Sequence, residues 1–272
     1  MAGQGKGQRL TSRGCARRDA LGLTLCALVA ACRSKSDSAP APGRFAIASD
    51  SNRESSAPFG GLEVTSGGDL AEDERGGTAI VLLHGFGAAG DDLVSLARSL
   101  ARPRTRFVVP AGLLTLPNGG RAWWQLKQRS VYDAAQELLV DEDSLFLARR
   151  AVQGVLATIR ERYAPEALFV AGFSQGAMLS LDVAAQPSAR VDRVAVLSGA
   201  LTQPTARVLG KRAKPPLVFV SHGRQDRVLR FAGAEHIVER LETSGYSVTF
   251  RAFEGGHEIP LEIRDALRDF FA

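Results

Sequence analysis

Leu168-Phe169-Val170-Ala171-Gly172-Phe173-Ser174-Gln175-Gly176-Ala177-Met178-Leu179 is the stretch that decides the fold of this 272-residue chain. Its first four residues form a short apolar run, which reads as a buried strand. Gly172-Phe173-Ser174-Gln175-Gly176 is a Gly-x-Ser-x-Gly, and the residues from Gln175 to Ala185 are compatible with a helix. Strand, sharp turn and helix form the context of a nucleophile elbow. A serine on so tight a turn leaves no room for side chains two residues to either side, which calls for glycine at both places. The turn lifts the Ser174 hydroxyl clear of the sheet, within reach of a base.

Outward from the elbow, strands alternate with helices. Strands are expected at Thr78–Leu83, Arg106–Val109, Leu168–Gly172, Arg193–Leu197, Leu217–Ser221 and Ser247–Phe253. Helices are expected over Asp91–Leu100, with an Asp N-cap, and over Gly233–Ser244 and Pro260–Phe271. A further helix over Ser144–Tyr163 follows from the spacing of Leu147, Ala151, Val155 and Ile159. Continuous Val/Leu/Ile strands separated by helices imply an α/β fold, a mostly parallel sheet covered on both faces. In such sheets sites form beyond the carboxyl ends of the strands.

A serine hydroxyl is a poor nucleophile without a base to take its proton. The chain holds four histidines, His84, His222, His236 and His257. His236 falls inside a helix and reads as a surface residue. His222 precedes the turn Gly223-Arg224-Gln225-Asp226 and reads as packing for it. His257 lies in Gly255-Gly256-His257-Glu258, just after the last strand, and is the expected base. The base needs a carboxylate to hold its ring. Asp226 follows a strand and has the right place in the chain, whereas Asp192 precedes one and Asp182 is inside the elbow helix. The order Ser174, Asp226, His257 is that of α/β-hydrolases. Two backbone amides are expected to hold the oxyanion, that of Gln175 after the nucleophile and that of Phe86 in the loop His84-Gly85-Phe86-Gly87.

That loop also matches another fingerprint. Gly85-Phe86-Gly87-Ala88-Ala89-Gly90 is a Gly-x-Gly-x-x-Gly between a strand and a helix, as in dinucleotide-binding domains. Such a site wants an acid at the end of the next strand to bind ribose. Here that strand ends in Pro110-Ala111-Gly112, so no dinucleotide is expected. Walker, His-Glu-x-x-His and paired-cysteine motifs are missing too, and neither cofactor nor metal is expected.

The N-terminus points to export. Lys6, Arg9, Arg13, Arg17 and Arg18 precede an apolar run from Ala20 to Ala31, too short to span a bilayer. Val29-Ala30-Ala31-Cys32 closes it and resembles the lipobox of bacterial lipoproteins, which implies cleavage before Cys32 and a lipid on its thiol. Residues 1–31 therefore read as a lipoprotein-type signal peptide and 32–58, rich in Ser, Ala, Pro and charge, as a flexible tether. Residues 59–272 read as the catalytic domain. Beyond residue 31 the chain carries 29 basic and 28 acidic residues. The pI of 9.4 thus reflects targeting and gives no ground for nucleic-acid binding. All three cysteines, Cys15, Cys26 and Cys32, lie in the first 32 residues, so a chain beginning at Cys32 has no internal disulfide.

Four segments resemble the phospholipase/carboxylesterase family, which includes the acyl-protein thioesterases. They are Leu83-His84-Gly85-Phe86-Gly87 with Gly90-Asp91-Asp92-Leu93, Arg121-Ala122-Trp123-Trp124, the elbow itself, and Gly256-His257-Glu258-Ile259-Pro260. Gln125 stands where the family's tryptophan loop usually has Asp. The resemblance implies an α/β-hydrolase fold and cofactor-free hydrolysis of carboxylic esters, with acyl thioesters and lysophospholipids as related substrates, by Ser174, His257 and Asp226. Trp123 and Trp124 either line an acyl pocket or anchor the core. A polyester depolymerase-like esterase and a tethered, non-catalytic binding protein are the alternatives. The expected partners are a small ester or acyl substrate and a membrane held through Cys32, in a bacterial cell envelope.

Overall fold

The structure is a computed structural model in which residues 48–49, 61–71, 73–126, 131–133 and 135–272 are described. The signal segment, Cys32 and nearly all of the tether lie outside these residues. All of the described residues fall within the unit Ser36–Ala272.

Eight strands of the described residues form one sheet. Two of them are antiparallel to their neighbours, β1 (Ala48–Ser49) and β2 (Val64–Gly68). The parallel part consists of β3 (Thr78–Leu83), β4 (Thr105–Pro110), β7 (Ala167–Phe173), β8 (Arg193–Leu197), β9 (Leu217–Gly223) and β10 (Val248–Phe253). The order across the sheet is β1-β2-β4-β3-β7-β8-β9-β10, so the antiparallel pair extends the β4 edge. The mostly parallel α/β-hydrolase architecture expected from the sequence is the one observed. A separate two-stranded ribbon pairs β5 (Leu114–Thr115) with β6 (Arg121–Ala122).

Central strands are buried on both faces, so almost every residue in them is apolar. Every residue of β4 and all but the first of β3 and β7 are buried. Side chains that point alternately to the two faces of the pleat feed two cores. One face packs against α2 (Glu142–Tyr163), α3 (Gln175–Ala185) and α5 (Phe231–Thr243). The other packs against α1 (Val94–Ser99) and α6 (Leu261–Phe270). A four-residue helix, α4 (Gln203–Ala206), follows β8.

Two details depart from expectation. The helix expected from Asp91 starts at Val94, after Leu93, and no side chain caps it. The Val94 amide instead donates to the Asp91 carbonyl in a preceding turn. In α2 the buried stripe is Leu145, Ala148, Val152, Val155, Leu156, Ile159 and Tyr163, and Leu147 is 60% exposed. The apolar repeat that begins at Leu147 is out of phase with this stripe in its first turn. The true start is set by Asp141, whose carboxylate accepts the Ser144 amide at 2.9 Å.

Register aligns the carboxyl ends of the strands. Leu83 pairs with Gly172, Phe173 with Leu197, Leu197 with Ser221, and Gly223 with Phe253. The segments that leave these strands, beginning at His84, Ser174, Ser198, Arg224 and Glu254, therefore emerge along one edge.

Candidate active site

Ser174 sits between β7 and α3 with φ 55° and ψ −116°, backbone that L-residues adopt only under strain. Such strain costs on the order of 1–3 kcal/mol and persists where packing enforces it. The enforcement is steric. A Cβ at Gly172 would fall 2.1 Å from the Gly176 carbonyl oxygen, and one at Gly176 would fall 2.0 Å from that of Leu83. The Ser174 amide donates to Leu197 at 2.9 Å, which ties the turn to β8. Ser174 itself is half-buried.

Asp226 and His257 come from the turns after β9 and β10. Nδ1 of His257 lies 2.7 Å from Oδ2 of Asp226. The other carboxylate oxygen, Oδ1, accepts the amides of Val228 at 2.8 Å and Leu229 at 2.9 Å. The two turns are sewn together by Arg224 N–H to Phe253 and Gln225 N–H to Gly255, both 2.9 Å. Gly223 permits this approach, since a Cβ there would meet the Gly256 carbonyl at 2.2 Å. Burial alone would raise the Asp226 carboxyl, but hydrogen bonds from His222, His257 and the Leu229 amide hold it well below the usual carboxylate range. Asp226 is thus an anion aimed at the His257 ring.

Ser174 and His257 share no direct hydrogen bond among the described contacts. Phe173, the residue before Ser174, packs its ring against His257, with centroids 4.7 Å apart. From the other side, a Cβ at Gly85 would lie 3.4 Å from that of Ser174, so the loop after β3 backs onto the nucleophile. Among the described residues, neither the Phe86 nor the Gln175 amide donates to a protein acceptor. The Gln175 amide is the one that follows Ser174 in the chain, at the first position of α3.

The loop after β3 is held from beneath. Nδ1 of His84 reaches the Gly85 carbonyl at 2.7 Å, and its Nε2 accepts the Gly112 amide at 2.8 Å. Burial, more than the charge of Arg121, lowers the His84 pKa against the Gly85 hydrogen bond, so the ring stays neutral. Trp123 stacks on that ring at 5.2 Å and donates its indole N–H to the His84 carbonyl at 3.0 Å. The Gln175 side chain clamps the same segment, accepting the Trp123 amide at 3.0 Å and donating to the Trp124 carbonyl at 2.8 Å. Trp123 and Trp124 are each 1% exposed and belong to the core under the site. They pack beneath the loop after β3, and at 1% exposure neither presents an open face.

The other acids and histidines fall elsewhere. Asp192 accepts the Leu168 amide at the amino end of β7, beside Arg160 and Arg212, at the opposite edge of the sheet from Ser174. Asp182 is locked to Arg149 within the helical layer. His236 is half-buried on α5 where a surface residue was expected. Three features had no sequence signal: the Gln175 clamp, the contact of His222 with Asp226, and Ser198. Ser198 carries a positive φ of 49° and a buried hydroxyl that meets no partner among the described residues, next to the site. Only its position after β8 could have drawn attention to it.

Known proteins carry the same arrangement of chain. The family model described as phospholipase/carboxylesterase matches residues 70–272. A probable carboxylesterase of Oryza sativa subsp. japonica is 28% identical over 204 residues, 69% of this chain and 74% of that protein. Carboxylesterase SOBER1 of Arabidopsis thaliana is 27% identical over 194 residues, 67% of this chain and 84% of its own. The crystal structure of esterase PE8 superposes with a TM-score of 0.65 at 24% identity, covering 77% of this chain and 97% of that one, which bears on the fold. This chain belongs to the phospholipase/carboxylesterase family and is a carboxylic ester hydrolase of the α/β-hydrolase fold.

Proposed function

We propose that the chain hydrolyses esters through an acyl-enzyme on a triad of Ser174, His257 and Asp226. Nε2 of His257 takes the proton of the Ser174 hydroxyl as Oγ attacks the substrate carbonyl carbon. The carbonyl oxygen becomes an oxyanion and is received by the Phe86 and Gln175 amides. Asp226 keeps Nδ1 protonated and faces the imidazolium that forms. His257 then returns the proton to the departing alkoxide, and the acyl group stays on Oγ. Water then attacks the acyl carbon and gives a proton to His257, which passes it to Ser174 Oγ as the C–Oγ bond breaks and the carboxylic acid leaves.

One observation carries this reading. A buried anion, Asp226, is hydrogen-bonded at 2.7 Å to an imidazole that stands against the residue preceding a strained serine. The test is turnover of p-nitrophenyl acetate and butyrate. Ser174→Ala is expected to lose about 10³-fold or more in kcat. Equal rates for the two proteins would reject the triad. The same acyl-enzyme could form from a thioester or a lysophospholipid, and rates across an acyl-chain series on each leaving group rank these substrates.

The envelope location and lipid anchor belong to this proposal as well. They are supported by the basic, apolar and Ala30-Ala31-Cys32 segments of the sequence. Cys32→Ser is expected to leave the detergent phase on partitioning. If it stays there, Cys32 is not the anchor.

A further inference from the structure

We infer that His222 is a positioning residue of this site, donating its Nε2–H to the Asp226 oxygen that faces His257. This rests on the triad proposed for Ser174, His257 and Asp226 and adds a member to it.

His222 lies on β9, in register with Ala252 of β10, and its side chain is wholly buried. Its Nε2 is 2.9 Å from the Leu229 carbonyl oxygen and 3.1 Å from Oδ2 of Asp226. A carbonyl and an ionised carboxylate can only accept, so the proton between them sits on Nε2. The N–H forks to both. Nδ1 of His222 is buried and meets no partner among the described residues. A proton on that nitrogen would be a buried, unpaired donor, which is costly. The geometry therefore selects one tautomer.

His257 approaches the same oxygen with its opposite nitrogen, Nδ1, at 2.7 Å. Oδ2 is thus held between two imidazole N–H groups, while Oδ1 takes the two amides of the following turn. Leu229 serves twice, its amide on Oδ1 and its carbonyl on His222. A histidine that merely packed the turn would need only the carbonyl contact. The second arm, to Oδ2, bears on catalysis. It fixes the rotation of the carboxylate, and it draws charge from the oxygen that steadies the His257 imidazolium. Without it, Oδ2 is freer to turn and more basic toward His257.

The groups around the pair are few. Phe231 of α5 meets the His222 ring edge-on at 6.2 Å, and the Arg224 guanidinium lies 4.9 Å over that phenyl ring. Tyr132 is near enough for Asp226 to act on it. Burial first, opposed by Arg230 and aided by Asp226, raises its hydroxyl above the ordinary value of 10.0. Tyr132 therefore stays protonated in the range where an ester hydrolase is assayed.

The experiment is kcat and kcat/KM against pH for p-nitrophenyl butyrate with the full chain, His222→Leu, His222→Gln and Asp226→Asn. His222→Leu is expected to lose about tenfold in kcat, the scale of a small misplacement of a catalytic group, with KM little changed. Its acid limb should move to higher pH. The Gln variant offers an amide N–H at nearly the place of Nε2 and should recover most of the rate and the original limb. Wild-type rate and limb in His222→Leu, or no difference between Leu and Gln, overturns the proposal. Should the Leu variant fail to fold, imidazole nitrogen NMR on the native protein decides. An Nε2–H tautomer for His222 is expected, and an Nδ1–H tautomer overturns it. Asp226→Asn separates the two levels. A large loss there with no effect at position 222 sinks only the role of His222, whereas native rates in Asp226→Asn sink the triad and this proposal with it.

Discussion

Asp182 and Asp226 are both sealed from solvent, yet they are neutralised in opposite ways. Asp182 is gripped by Arg149, whose Nε and Nη2 donate at 2.6 and 3.1 Å, and by the Thr205 hydroxyl at 2.9 Å. A guanidinium keeps its charge at every accessible pH, so that pair is complete before any reaction begins. Asp226 has no such cation among its hydrogen-bond partners. It has two amides and two imidazoles. An imidazole can become a cation, and only then is the charge of Asp226 fully met. The first carboxylate is a clamp between α2, α3 and α4, and the second, in the proposed triad, faces the charge that the reaction creates.

The largest effect should come from the second. Asp226→Asn is expected to lower kcat by about 10³- to 10⁴-fold, because the amide can neither fix the His257 tautomer nor stabilise its cation. Far-UV and near-UV circular dichroism should still show a folded protein. Asp182→Ala should do the reverse. It leaves the half-buried Arg149 without its partner, which costs about 2–4 kcal/mol in urea unfolding, with kcat per folded molecule retained. Replacing both residues, Arg149→Met with Asp182→Leu, should recover much of that loss. If Asp182→Ala lost turnover while keeping its stability, the contrast between a clamp and the carboxylate of the proposed triad would be broken.

How far the sequence could be read follows from the same physics. Parallel strands buried on both faces leave continuous apolar runs, and β3 and β8 were readable to the residue. β2 was not readable, because Val64-Thr65-Ser66-Gly67-Gly68 is half-buried and owes its conformation to pairing with β4. β5, β6 and α4 are two to four residues long, too short for a period to show. The elbow was readable because its steric demand is local and only glycine meets it. Asp226 and His257 could be nominated from their places after strands, and the sheet brings those two together. Nothing local marks His222, since a histidine at the end of an apolar strand looks like core until the turn folds back on it. Trp123 and Trp124 show the same limit. Their size predicts burial, but which surface they bury is settled by Gln175 and His84, 52 and 39 residues away.

Asp92 is a third case, a carboxylate that meets neither a fixed cation nor an imidazole among the described residues. Its Oδ1 is buried without a partner among the described residues. Burial, with help from the charge of Asp91 and against hydrogen bonds from the Asp92 and Gly90 amides, raises it to about 6. That is above the value of about 3.9 expected in the unfolded chain. Above pH 6 the group is ionised in both states, and the fold carries the cost of burying the charge. As pH falls below 6 the folded chain takes up the proton first, and the cost is released by about pH 4. Asp92→Asn removes the charge at every pH and keeps an oxygen for the two amides. It should therefore be more stable than the native chain at pH 8, on the order of 1–2 kcal/mol in urea unfolding. That gain should shrink through pH 6 and vanish near pH 4. A gain that is constant with pH would mean that packing, not charge, distinguishes the two side chains. A loss at pH 8 would mean that Asp92 has a partner that compensates its charge, as Asp182 and Asp226 do.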